Sequence, residues 1–259
     1  MENKKMLNLF GYLFGVMVLL FIITQTVIFA TFFMPFFEWQ FERPREYRPF
    51  NGRNAVETIG IEKSELMRVT TELHDYMRGR RDTLDNIQAV VMGENREFFS
   101  DLEKRHMIDV KVLYNWVFAL RTISAAFVIG AIFYLLVLSR NKLYKARAKI
   151  LSTWALKSTR QVVILFLVIA ALTTIVIATD FSRAWDFFHV IFFNNDYWIL
   201  THRVDLLLDM VSLSFFLHIS IMIGGIILVA GALVIVLTTV LLRRSTQFDP
   251  NKLDIGDKI

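Results

Sequence analysis

The sequence predicts an all-α polytopic membrane protein, with four transmembrane helices and a small extracytoplasmic α/β cap. Three observations support this fold class. The 259 residues are 55% hydrophobic with a mean hydropathy of +0.47. Their charged fraction is 20%, where soluble domains have about 25%. The charges are confined to segments that alternate with four long apolar windows. A soluble enzyme, a disordered regulator and a nucleic-acid-binding module are therefore excluded as first interpretations.

The four apolar windows are long enough to cross a bilayer, since a helix spans the hydrocarbon core with about 20 residues. We predict transmembrane helices over residues 1–34, 113–139, 161–180 and 211–242. The other segments are predicted to be an extracytoplasmic cap (35–112), a basic cytoplasmic loop (140–160), an extracytoplasmic aromatic-rich segment (181–210) and a cytoplasmic tail (243–259).

The distribution of basic residues predicts the orientation. Residues 140–160 contain seven Lys and Arg residues and no acidic residue, whereas residues 35–112 contain 15 acidic and 13 basic residues. Because cytoplasmic loops carry the excess of basic residues, we expect a multi-pass plasma-membrane protein with both termini in the cytoplasm. Any active site in the cap then faces the extracytoplasmic side. The basic loop also accounts for the net charge of +5 without a nucleic-acid partner.

Local patterns predict several elements. Residues 62–78 indicate an amphipathic helix that ends at Gly79. Ser100 and Glu103 form a capping-box pattern that opens a helix running into the second span. Gly11 and Gly15 form a small-xxx-small pair suited to close helix packing. Prolines among alternating aromatic and charged residues predict extended chain or an edge strand; the residues concerned are Trp39, Phe41, Pro44, Tyr47, Pro49 and Phe50.

The chain has no cysteine, which excludes thiolate-ligated metals, disulfides and thiol nucleophiles. No serine-hydrolase, zinc-protease, nucleotide-binding or glycerolipid-acyltransferase motif is present. An enzyme with this sequence would therefore use acid–base chemistry, for which histidine is suited because its ordinary pKa lies near neutrality. The five histidines are His74, His106, His189, His202 and His218.

His106 and Asp109 lie at i,i+3 on the helix predicted to enter the second span. At that spacing the carboxylate can hold one ring nitrogen and fix the tautomer. The charged neighbours Glu103, Lys104 and Arg105 are equally typical of a solvated helix surface, so the spacing alone leaves both interpretations open.

His189 follows the third span in a segment rich in aromatic residues. On a helix it would share a face with Trp185, Phe192 and Phe193, and a histidine in such a partly dry pocket is a fair general base. The structural alternative is that the aromatic residues mark the membrane interface and that the single polar residue snorkels.

The other polar candidates have simpler explanations. His202 and Asp205 repeat the i,i+3 spacing and could be an ordinary hydrogen-bonded pair. His218 lies inside the fourth span and is expected to face the bundle, whereas His74 is expected on the surface of the cap. Arg121 is costly within a span, so it either neutralises an anionic group of a substrate or snorkels to the headgroups.

Two stretches are distinctive: His106-Met107-Ile108-Asp109-Val110 before the second span, and Phe188-His189-Val190-Ile191-Phe192-Phe193-Asn194-Asn195-Asp196-Tyr197-Trp198 after the third. Both resemble stretches of the lipoprotein intramolecular transacylases of Gram-positive bacteria. The four-span layout with a cap after the first helix is similar to that family as well. Where the family has a Pro-acidic pair before the last span, this sequence has Val211 and Ser212.

The resemblance implies transfer of the sn-2 acyl chain of a diacylglyceryl lipoprotein to the α-amino group of its own N-terminal cysteine, giving a lyso-form lipoprotein. It implies His106 and His189 as the catalytic acid–base pair, without an acyl-enzyme and without a cofactor or metal. The implied partners are the lipoprotein substrate and membrane lipid. Asp109, Asn195 and Asp205 would be supporting residues. The substrate-binding residues would be Trp185, Phe188, Phe192, Phe193, Trp198 and Arg121.

Two other functions are compatible with the sequence. A non-enzymatic membrane sensor or assembly factor would bind a ligand through the cap and would need neither His106 nor His189. Metal or haem binding by these two histidines is disfavoured, because the sequence offers no evident set of three or four ligands.

Overall fold

The computed structural model describes residues 4–45 and 52–246 of the chain. It is 77% helical, which confirms the predicted all-α class. The helices are α1 (Lys4–Thr31), α2 (Met34–Glu42), α3 (Ala55–Ile59), α4 (Lys63–Met77), α5 (Asp101–Arg140), α6 (Lys145–Thr179), α7 (Phe181–Phe192), α8 (Leu206–Met210) and α9 (Leu213–Thr246). Between α4 and α5, strands β1 (Gln88–Val91) and β2 (Glu94–Glu97) form an antiparallel hairpin.

Four of these helices, α1, α5, α6 and α9, are long and apolar enough to cross a membrane, which confirms the predicted number of spans. Helix α5 has 40 residues and is about 60 Å long at 1.5 Å per residue, twice the thickness of the hydrocarbon core. Charged side chains crowd its start, at Asp101, Glu103, Lys104, Arg105, Asp109 and Lys111. The part that can span therefore begins after Lys111, and His106 lies outside it.

Helix α6 begins earlier than the sequence indicates. Residues 140–160 are predicted to be a loop, but only residues 141–144 separate α5 from α6. Residues 145–160 contain no glycine or proline and are rich in alanine, leucine, lysine and arginine, which favour helix. The basic charge excludes this stretch from the membrane core without preventing it from being helical.

The chain forms two compact units. Within the described residues, the first unit contains 4–26, 119–176 and 225–246. Gly11 and Gly15 of α1 show the predicted close helix packing, and their partner is α6: a Cβ at Gly11 would be 2.6 Å from Ser158 Oγ, and one at Gly15 would be 2.9 Å from Thr159 Cα. Because Thr159 presents backbone at this point, only glycine permits so close an approach of the two helices.

The second unit contains residues 27–45, 52–118 and 177–224. Its core is a cluster of buried apolar side chains from α2, α4, the hairpin, α8 and the start of α9. Helix α4 confirms the predicted amphipathic helix, and Gly79 after it has a φ of +73°, a conformation that glycine adopts without strain. The buried stripe of α4 includes Leu66, Val69, Leu73, Tyr76 and Met77.

The prediction of extended chain or an edge strand around Pro44 is wrong for Trp39 and Phe41. Trp39 and Phe41 belong to α2, whose second residue is Pro35, and proline is tolerated at the first turn of a helix because its missing N–H would be unpaired there. Pro44 follows the end of α2, whereas Tyr47, Pro49 and Phe50 lie outside the described residues.

The sheet lies further along the chain. At the tip of the β1–β2 hairpin, Met92 and Gly93 both have positive φ values, of 53° and 85°, as a tight hairpin turn requires. A methionine at the first of these positions is unusual, and the polar residues of β2 lack alternation. The sequence therefore carries only a weak hairpin signal.

His74 is a second correction within this unit. It is 5% exposed rather than on the surface, and its ring meets the rings of Phe37 and Phe32 edge-on, at centroid distances of 4.8 and 5.1 Å. Burial among these rings lowers its pKa to about 4, because the charged imidazolium loses its hydration. His74 is therefore a neutral core residue of the cap.

Replacement of Gly15 by alanine tests the close approach of α1 and α6. We expect Gly15→Ala to destabilise the protein by about 1–3 kcal/mol, because the added methyl meets backbone that cannot yield easily. The matched control is Gly130→Ala in α5, where an added Cβ meets nothing within 4 Å and the better helix propensity of alanine makes the change neutral or stabilising. Thermal unfolding of both variants in one detergent gives the comparison; equal midpoints would contradict the packing.

Candidate active site

The start of α5 carries His106 and is fixed by its cap. Ser100 N donates to the Glu103 carboxylate, and Glu103 N donates to Ser100 Oγ at 3.2 Å. This is the predicted capping box, in which side chains satisfy backbone donors that a helix start leaves unpaired. It sets the first turn of α5, and His106 lies one turn further on.

Helix α7 carries His189. Asp180 caps its start by accepting a hydrogen bond from Arg183 N at 3.0 Å, and the helix ends before Phe193, whose backbone is extended. His189 lies in the last turn and is 5% exposed. A short helix with a defined start and end thus holds one imidazole in a fixed position.

The structure brings the two predicted histidines together. The ring centroids of His106 and His189 are 6.0 Å apart, and the ring planes are tilted by 36°. Phe193 packs against both, with centroid distances of 5.3 Å to His106 and 5.6 Å to His189. A catalytic nitrogen reaches a substrate atom at about 2.6–3.2 Å. Two imidazoles at this spacing can therefore both contact one reacting group.

The tautomer of His189 follows from its hydrogen bond. Its Nδ1 lies 2.8 Å from the carbonyl oxygen of Trp185, and a carbonyl can only accept, so the proton of the neutral ring is on Nδ1. Nε2 then carries the free lone pair. His189 is arranged as a proton acceptor, as a general base requires.

Aromatic rings enclose His189. Trp198 stacks on it at a centroid distance of 4.6 Å with an angle of 22° between the planes. Trp185 and Phe188 approach it edge-on at 4.7 and 5.5 Å. Phe192 departs from the predicted shared face: it is 52% exposed and packs on Phe188 at a centroid distance of 4.8 Å.

The environment of His106 differs from the expected one. The predicted hydrogen bond from His106 to the Asp109 carboxylate is absent, and His106 Nδ1 is buried without a hydrogen-bond partner among the described residues. Asp109 instead accepts a hydrogen bond from Asn195 Nδ2 at 2.9 Å. Asn195 Oδ1 accepts in turn from Tyr197 N at 3.1 Å. Asp109 and Asn195 thus join α5 to the chain after α7, and Asp109 acts on His106 only through its charge.

Burial keeps both imidazoles neutral. It lowers the pKa of His106 to about 4, with a further lowering from His189 and a partial opposing effect of Asp109. It also lowers the pKa of His189, against which the hydrogen bond to Trp185 O and the charge of Asp186 act. At neutral pH the pair therefore consists of two uncharged rings that can accept and donate protons.

Asp205 supports the backbone rather than a histidine. It accepts from Ser100 Oγ and from Thr201 N, both at 2.8 Å. Glu103 accepts from Leu207 N and is 0% exposed; burial raises its pKa to about 7. The sequence identified Ser100 and Glu103 as a helix cap but did not reveal that the same side chains bind the 201–207 segment.

His202 pairs with a different acid from the one predicted. Its Nδ1 lies 2.8 Å from Asp209 Oδ1, and Asp209 Oδ2 accepts from Arg203 N at 2.9 Å. The spacing of seven residues places this contact across a turn instead of along a helix, so the i,i+3 rule did not detect it.

Arg121 lies in the other compact unit, and its role remains a prediction. Among residues 4–45 and 52–246, no cluster of three or more metal-ligating histidine and carboxylate side chains occurs.

Comparisons with known proteins bear on this geometry. Residues 12–216 match the family model described as lipoprotein intramolecular transacylase Lit. The fold is similar to that of the membrane-integral lipoprotein intramolecular transacylase Lit from Bacillus cereus: the TM-score is 0.71 at 18% identity, covering 95% of this chain and 100% of that chain.

Two structures of that Bacillus cereus protein with one histidine replaced also match. The arginine variant gives a TM-score of 0.65 at 18% identity, with 94% of this chain and 95% of that chain covered. The alanine variant gives 0.64 at 17% identity, with 94% and 97% covered. A comparison with curated protein sequences gave no match. Since the family model spans most of its length, the chain belongs to the lipoprotein intramolecular transacylase family.

Proposed function

We propose that this protein transfers the sn-2 acyl chain of a diacylglyceryl lipoprotein to the α-amino group of the lipoprotein's own N-terminal cysteine. The product is a lyso-form lipoprotein. Family membership supports the class of reaction. The observation that carries the proposal is the pair of neutral imidazoles 6.0 Å apart, one of which presents an unprotonated Nε2.

The reaction needs an enzyme because its ring closure is unfavourable. Attack of the amine on the ester carbonyl closes a ring of eight atoms: nitrogen, Cα, Cβ, sulfur, two glyceryl carbons, the ester oxygen and the carbonyl carbon. Few conformers of the free substrate bring its ends together. A confined site that holds the substrate folded supplies this orientation, and effective molarities of oriented groups reach about 10⁵–10⁸ M. The rings around His189 are suited to this confinement.

The proposed reaction uses both histidines. The neutral amine attacks the carbonyl carbon, and its nitrogen passes one proton to His189 Nε2. The N–H of His106 donates a hydrogen bond to the carbonyl oxygen, which gains negative charge. The C–O bond then breaks, the amide forms, and the His189 imidazolium gives its proton to the departing glyceryl oxygen. The net change moves one proton from nitrogen to oxygen, and no acyl-enzyme is needed.

The site is proposed to face the extracytoplasmic side, with both termini in the cytoplasm. The seven basic residues between 140 and 160 support this orientation through the positive-inside rule. His106 precedes the apolar part of α5, on the side of the cap. The substrate would then approach from the outer leaflet, where a lipoprotein is anchored by its diacylglyceryl group.

Substitution of either histidine tests the proposed pair. We expect His106→Ala and His189→Ala each to slow conversion by roughly 10²–10⁴-fold, and the double variant to be little slower than either single one, because the two rings act as a unit. Mass spectrometry of a reporter lipoprotein incubated with the purified protein measures the conversion. The control is His202→Asn, which keeps a donor toward Asp209. Full conversion by the double variant would refute the two-histidine mechanism, whereas no conversion by the unaltered protein would favour a sensor or assembly factor.

The pH dependence has a defined sign. Protonation of His189 removes the proton acceptor, but burial lowers the pKa of both histidines, so the pair stays active until the pH falls below the ordinary value of about 6.5. The substrate amine, with a pKa of about 7.7–8.0, imposes a separate loss below pH 8. We expect the logarithm of the rate to rise with a slope of one up to about pH 8, and a steeper slope only below pH 6.5. A steeper slope above pH 6.5 would contradict neutral histidines.

Trp198 is expected to stabilise the imidazolium that His189 becomes during the reaction. Its ring stacks on His189, and a cation against an aromatic face gains about 0.5–2 kcal/mol, which corresponds to roughly 2- to 30-fold in kcat. Trp198→Leu should lower kcat by that factor and shift the acidic limb of the pH profile to lower pH, with Trp198→Phe intermediate. Trp116→Leu, at a 66% exposed position, is the control. A change in KM alone would assign Trp198 to substrate binding instead.

A further inference from the structure

Helix α7 presents an exposed apolar row on the side opposite to the candidate site. Phe187 is 65% exposed and Ile191 is 57% exposed, and the two are i,i+4 neighbours on one face. Val190, which lies next to them, is also 65% exposed. Large contiguous apolar surfaces of this kind mark contact with a membrane or another protein.

Three rows of i,i+4 neighbours divide the surface of α7. Trp185 and His189 form the row that faces the candidate site. Ser182 and Asp186 form an exposed polar row, and Phe187 and Ile191 form the exposed apolar row. At about 100° per residue, the apolar row lies nearly opposite the site row, and the polar row lies between them on one side. A helix with protein, water and apolar surroundings on three sides has the surface of an interfacial helix.

The chain itself indicates which apolar phase covers this row. Only Asp180 separates α7 from α6, which is apolar enough to cross a membrane. The 12 residues of α7 extend about 18 Å, too short to cross the hydrocarbon core. Arg183 lies one turn before Phe187, at the start of the exposed apolar row. Its side chain is 87% exposed, so its long stem can reach the headgroups.

We propose that α7 is embedded in the membrane interface, with Phe187 and Ile191 against lipid acyl chains and Ser182 and Asp186 toward water. The bilayer is the partner of this face. A helix with its side chains is about 10–12 Å across, so the site row lies within one helix diameter of the acyl chains. The ester of a lipid-anchored substrate can then reach His189 without leaving the membrane.

Site-specific labelling tests the proposal directly, because the chain contains no cysteine and a single introduced thiol is unique. Full-length variants Phe187→Cys, Ile191→Cys and Ser182→Cys, each carrying a bimane fluorophore, are placed in nanodiscs of phosphatidylcholine and phosphatidylglycerol. Quenching by doxyl groups on lipid chains is compared with quenching by iodide in the buffer. Ile175→Cys, at a 65% exposed position of α6, provides the lipid reference.

The expected result is a ratio of lipid to iodide quenching at 187 and 191 that matches position 175 and exceeds that at 182. Quenching by iodide at 187 and 191 as strong as at 182 would place the row in water and overturn the proposal. Weak quenching by both agents would show a protein cover, such as a second copy of the chain, and would also overturn it. The measurement needs no substrate, so its outcome is independent of the proposed reaction.

Discussion

The close approach of His106 and His189 depends on polar contacts that tie the start of α5 to the chain after α7. Asn195 binds Asp109, Ser100 binds Asp205, and Leu207 N donates to the buried Glu103. Glu103 and Asp205 are 0% and 4% exposed, so the contacts to them satisfy carboxylates that would otherwise be buried unpaired, at a cost of about 1–3 kcal/mol apiece. Residues far apart in sequence are thereby held at a spacing of a few ångströms, and the catalytic proposal rests on that spacing.

The site combines a dry environment with uncharged groups. Burial disfavours the imidazolium form of both histidines, so the resting site carries no charge on the pair and is compatible with a lipid substrate. In the proposed reaction, charge appears only when His189 takes the proton of the amine. The Trp185 carbonyl and the Trp198 ring both contact His189, where they would stabilise that charge. Groups that act mainly in the transition state raise the rate rather than the affinity.

The sequence predicted the number of spans, the amphipathic helix α4 and the capping box, because each depends on local spacing or on hydropathy. The pairing of His106 with His189 came from the family resemblance instead, and the structure brings the two rings together. It did not predict the partner of Asp109: the helical spacing indicated His106, whereas the carboxylate binds Asn195. The sequence also did not predict the partners of Asp205 and Asp209. Asp205 binds Ser100 and the backbone of Thr201, and Asp209 binds His202 and the backbone of Arg203. Local rules do not include such tertiary contacts. The hairpin was missed because a methionine occupies its turn.

The central claim is that both imidazoles act on one ester, with His189 as the base. An experimental structure with a lipopeptide whose sn-2 ester is replaced by an unreactive ketone tests it most directly. The account predicts the α-amino nitrogen within about 2.6–3.2 Å of His189 Nε2 and the ketone oxygen within the same distance of a His106 ring nitrogen. A lipopeptide bound with its amine or its ketone beyond the reach of both rings would contradict it.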